Sequence, residues 1–88
     1  MSLYIQRKNY EAAQLEDEWV ILNTDTFTIT RLNEAGGACW SLLKEAHSAE
    51  SLSRELGSMF SAEAHHLRKD VEVFLQELAG VGLIQHAG

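Results

Sequence analysis

The run Thr26-Phe27-Thr28-Ile29-Thr30-Arg31-Leu32 alternates polar and apolar residues and leads directly into Asn33-Glu34 and the small residues Ala35-Gly36-Gly37-Ala38. The alternation is that of a half-covered β-strand. Directly behind it lies the entrance of a helix, with Asn33 as N-cap and Glu34 at the positive end of the helix dipole. A strand therefore hands the chain to a helix with almost no loop between them. Each glycine inside that helix costs about 1 kcal/mol relative to alanine, which predicts close packing of the helix backbone on the sheet.

Upstream, Tyr4 to Lys8 reads as a short frayed strand or arm, and Tyr10 to Leu15 has a weak strand pattern. Glu16-Asp17-Glu18 marks a tight reversal before Trp19-Val20-Ile21-Leu22, whose four large apolar residues suit a strand buried on both sides or at the centre of a small sheet. Asn23-Thr24-Asp25 supplies a second turn without glycine. The expectation is a three-stranded meander with Thr26–Leu32 at its edge, Phe27 and Ile29 on one face and Thr26, Thr28 and Thr30 on the other. Exposed edges normally carry lysine, proline or a bulge, and this one has threonines with only Arg31 near its end.

Downstream, a first helix is expected from Glu34 to about Glu45, with Ala35, Cys39, Leu42 and Leu43 on its apolar stripe. Ser48 caps a second helix with the stripe Leu52, Leu56, Met59 and Phe60, weakened at its end by Gly57. Ser61 is expected to cap the longest helix, where Leu67, Val71, Phe74, Leu75 and Leu78 recur at helical spacing up to Gly80. Leu83-Ile84-Gln85 forms a last apolar tail or wing.

The chain's 88 residues make one small domain, expected to fill 1–88 with its core at about 10–84. A net charge of -6 repels phosphate backbones and anionic lipid heads, which disfavours nucleic acid and membrane partners. Within Ser61–Gly80, Glu63, Asp70, Glu72 and Glu77 outnumber Arg68 and Lys69, against a DNA-binding winged helix. The single Cys39 excludes an internal disulfide and, with no signal-peptide pattern, points to a reducing cytoplasm.

Two segments in order resemble the PqqD-like family. Arg31 to Leu43 is similar to its "LNxTGxxIWxLL" segment, and Asp70 to Leu78 with Gly82-Leu83-Ile84 is similar to its "DVxxFLxxLxxxGLI" ending. Glu18 to Asn23 resembles the strand that precedes them. The resemblance implies an α+β, winged helix-turn-helix-like fold, a three-stranded antiparallel sheet followed by three helices. It also implies a non-catalytic element that binds the leader region of a ribosomally made precursor peptide, as in pyrroloquinoline quinone and lasso-peptide biosynthesis. The leader adds as a strand to the third strand, and the partner is a modifying enzyme such as a leader peptidase or a radical SAM enzyme.

On that reading the peptide-binding residues are Thr26, Phe27, Thr28, Ile29, Thr30 and Arg31 of the strand, with His66, Lys69, Asp70, Val73 and Phe74 of the last helix. The bland alternative makes the threonines ordinary strand formers and the helix charges a solvated face. A scaffold domain that docks on an enzyme without a leader is the other alternative. His65-His66 lacks metal-ligand spacing, since adjacent helical residues point about 100° apart, and no metal or cofactor is expected. Cys39 on an apolar stripe reads as an inert core thiol, and no catalytic constellation accompanies it. The open edge also allows self-pairing into a homodimer.

Overall fold

The computed structural model describes residues 2–87; Met1 and Gly88, the ends of the expected domain, lie outside the described residues. The elements run β1 (Tyr4–Gln6), β2 (Tyr10–Leu15), β3 (Glu18–Asn23), β4 (Thr28–Leu32), α1 (Glu34–Leu42), α2 (Ala49–Phe60), α3 (Ala64–Gly80) and β5 (Ile84–His86). The α+β order expected from the sequence is present: β2, β3 and β4 form an antiparallel sheet with β3 in the middle, and three helices come after it. The two end segments, read as an arm and a tail, pair with each other as the separate sheet β1–β5.

Among the described residues, only one face of the main sheet is covered. Ile21 is fully buried while its neighbours Val20 and Leu22 are half-buried, so β3 is central without being enclosed. The molecule's short dimension of 19 Å matches one helix layer on one sheet layer.

The strand β4 begins at Thr28, two residues later than the alternation predicts. Asn23 Oδ1 accepts from the N–H groups of Asp25 (2.9 Å) and Thr26 (3.3 Å), and Phe27 N donates to Asn23 O (2.7 Å) with Phe27 at φ 57°. Asparagine's side chain thus claims N–H groups that a longer strand would have used. The register then pairs Thr30 with Ile21, Ile29 with Leu22 and Leu32 with Trp19. The threonine side of the strand is therefore the core side, and Ile29 faces out, 65% exposed.

Asn33 caps α1 as expected, its Oδ1 accepting from Gly36 N at 2.8 Å. A Cβ at Gly37 would overlap the Trp19 indole, which confirms the close helix-to-sheet approach. The helix ends at Leu42, short of the expected Glu45. Leu43 O accepts from Gln6 N (2.8 Å), and Tyr4 and His47 exchange both of their main-chain bonds, so β1 draws this segment out of the helix.

Ser48 caps α2 in a reciprocal box with Ser51 (3.1 and 3.0 Å). The expectation for Ser61 fails: it ends α2 in a left-handed conformation at φ 55°, and α3 starts behind Glu63, which makes no side-chain cap bond. Ala62 N reaches back to Gly57 O (2.9 Å), a tight closure in which a Cβ at Gly57 would lie 2.6 Å from Ala62 O. Met59 and Phe60 also leave the expected stripe, 55% and 42% exposed, because α2 turns Leu52 and Leu56 into the core instead. Val71, Leu75 and Leu78 supply the α3 side of the core, joined by Trp40, Leu43 and Leu83. Among the described residues no helix is long and apolar enough to cross a membrane.

Candidate functional site

Two features meet at the β4 edge. The first is its backbone. Thr24 N donates to Asn9 O at 2.8 Å, so Thr24 directs its main chain towards β2. In an antiparallel sheet this direction alternates along a strand, so Asn23 directs its own towards β4, where it pairs with Thr28. Thr28, Thr30 and Leu32 thus spend their N–H and C=O groups inside the sheet. Those of Ile29 and Arg31 point outward from the edge.

The second is a cleft of about 420 Å³ between the β4–α1 corner and α3. Its strand-side wall is Leu32, Ala35 and Gly36, and its helix-side wall is Leu67, Asp70, Phe74 and Glu77. A Cβ at Gly36 would lie 3.5 Å from the Phe74 ring, so the missing side chain leaves this wall low beside the ring.

Of the residues expected from the sequence, Arg31, Asp70 and Phe74 are brought together around this cleft. Arg31 is held across the sheet by Glu18, with Nη2 and Nε at 2.7 and 3.2 Å from Oε1. At about 100° per residue on α3, Leu67 and Phe74 lie deepest, Asp70 and Glu77 form the lip, and His66 and Val73 stand just outside it. Lys69 lies furthest round and is not part of the lining. Thr26 and Phe27 sit in the turn with Phe27 78% exposed, Thr26 and Thr28 bond to each other (Oγ1–Oγ1 2.8 Å), and Thr30 faces the core. The sequence reading missed Leu32, Ala35, Gly36 and Glu77 and placed Leu67 in the core alone. Leu67 is only half-buried, so it packs against the core and lines the cleft as well.

At the base of the cleft Cys39 is 2% exposed, and burial pushes its thiol from 9.0 up to about 12. Iodoacetamide at pH 8 should leave the folded protein unmodified and label Cys39 once denaturant is added, as followed by intact mass; rapid labelling of the folded chain would contradict this burial. Because the folded thiol is the weaker acid, stability from this group is full below pH 9 and falls between about pH 9 and 12, where the unfolded chain ionises first. At the start of α3 the exposed Glu63, His65 and His66 bring their ligating atoms within 4.8 Å of one another, closer than adjacent helical positions predict.

A family model described as coenzyme PQQ synthesis protein D (PqqD) matches residues 18–84. Among solved structures the chain is similar to TbiB1 in complex with the TbiA(beta) leader peptide, at 26% identity and a TM-score of 0.82, covering 96% of this chain and 98% of that one. It also shares the fold of lasso peptide synthetase B1 complexed with the leader peptide, at 20% identity and a TM-score of 0.77 over 93% and 96% of the two chains. No curated protein matches the chain.

Proposed function

We infer the function from one premise: the chain belongs to the PqqD family. It is a non-catalytic module that binds the leader segment of a ribosomally made precursor peptide and presents it to a separate modifying enzyme or leader peptidase. The observation that carries this reading is the outward-facing main chain of Ile29 and Arg31 next to a cleft whose far wall is α3. A peptide strand laid along β4 takes its main-chain bonds from those two residues and drops alternate side chains towards Leu67 and Phe74. TbiB1, at 26% identity, is itself in complex with a leader peptide, which supports the same occupant here. Asp70 and Glu77 at the lip give that cleft an acidic margin that a phosphate backbone would meet unfavourably.

Titration with leader peptides from precursors encoded beside this chain, followed by amide shifts in NMR, tests the reading. Saturable shifts are expected at Ile29, Arg31, Leu67, Asp70 and Phe74. Silence from every leader together with tight binding of duplex DNA would replace it with the winged-helix alternative.

A further inference from the structure

We propose that a second cleft, on the other side of α1, docks the enzyme that works on the bound peptide, through an apolar side chain of that enzyme flanked by lysine or arginine. The identity of the partner rests on the proposed leader binding; the chemistry of the cleft does not. The helix α1 stands between the two clefts. Ala35, Gly36 and Cys39 face the peptide cleft, whereas Glu34, Ala38, Ser41 and Leu42, centred about 120° round the helix, face the second one.

The second cleft, about 420 Å³, is closed by the β2–β3 hairpin and by the end of α2. Its apolar surface comes from Trp19, Ala38 and Leu42, with Met59 and Phe60 exposed at the rim although both are large and apolar. Within the fold nothing covers these two side chains, since α2 buries Leu52 and Leu56 instead. Asp17 and Glu34 also line it, beside the neutral Gln14 and Ser41, and among the described residues neither acid makes an ion pair and no lysine or arginine joins them. An apolar hollow with uncompensated acids selects an apolar anchor carried on a basic segment. The two clefts use different faces of α1, so peptide and enzyme can be held together. A module that hands a substrate over needs that geometry.

Two short synthetic peptides, one with leucine between lysines and one with leucine between glutamates, probe the chemistry by NMR. The lysine peptide should shift Ala38, Leu42 and Met59, and the glutamate peptide should not. Met59→Ser, which removes apolar surface without adding charge, should weaken the lysine peptide about tenfold, and Asp17→Lys, which leaves one charge of each sign in the lining, should abolish the preference between the two peptides. With the modifying enzyme encoded beside this chain, both variants should lose about tenfold in affinity while leader affinity stays within about twofold. Equal shifts from the two peptides, shifts at Ile29 or Leu67 instead, an enzyme affinity unchanged in both variants, or a homodimer that Met59→Ser dissociates would each overturn the proposal. If leaders do not bind the unaltered protein while peptide and enzyme respond as stated, the leader reading falls and the docking site stands.

Discussion

Ile29→Pro is expected to weaken leader binding at least about thirtyfold, or about 2 kcal/mol, while leaving the protein folded. The reason lies in which way each N–H of β4 points. The N–H of Ile29 faces away from β3, so proline there removes no bond of the sheet, and such a position on an edge strand tolerates it. An incoming strand, however, loses a donor worth about 0.5–1.5 kcal/mol and meets the pyrrolidine ring where its own carbonyl should sit. Ile29→Ala separates backbone from side chain: it keeps the N–H and should cost less than the proline. Thr28→Pro differs in kind, because Thr28 is paired with Asn23 and its loss opens the hairpin itself. Isothermal titration calorimetry with a responsive leader, beside circular dichroism, reads all three. A folded Ile29→Pro protein that binds as tightly as its parent would rule out strand addition at this edge.

The largest effect on stability is expected at Gly37. A methyl group there overlaps the Trp19 ring, which is itself wedged between β3 and α1. Relief requires α1 to lift from the sheet, and α1 carries Cys39 and Trp40 into the core. Overpacking of this kind costs about 3 kcal/mol or more. At roughly 0.05–0.15 kcal/mol per residue, that is a large share of the total stability of so short a chain. The melting temperature of Gly37→Ala should drop by about 15 °C or more by calorimetry. Gly80→Ala is the matched control, because nothing lies within 4 Å of a Cβ at the end of α3, and the better helix former should leave the protein as stable or slightly more so. Equal melting temperatures for the two variants would mean that the helix does not rest on the indole.

The parts of the fold that were legible in the sequence are those decided by local chemistry. Asn33 and Ser48 cap because their side chains reach N–H groups three residues ahead, and the glycine pair required a close neighbour wherever the helix lay. The meander order came from turn residues between apolar runs. What was misread depends on distant partners. Ser61 has the composition of an N-cap, but the closure of α2 on Gly57 reaches it first and turns it into a helix end. Met59 and Phe60 keep helical spacing with Leu56, yet α3 does not extend over them. For the site, the edge strand was legible and its orientation was not. Alternation names two faces without saying which is inside, and only the pairing of Thr30 with the buried Ile21 decides it. Leu67 shows the same limit, since one apolar residue at helical spacing serves both core and cleft.

The pairing of β1 with β5 sets the chain's entry and exit side by side, with Ala87 N bonded to Leu3 O at 2.9 Å. Topologically the fold is close to a closed loop. A host polypeptide interrupted at one surface turn could accept it there as a cassette, with both splice points at a single spot and little loop-closure entropy lost. By the same geometry a short bridge between the ends, with a new opening cut at Glu16-Asp17, yields a circular permutant whose β4 edge is untouched.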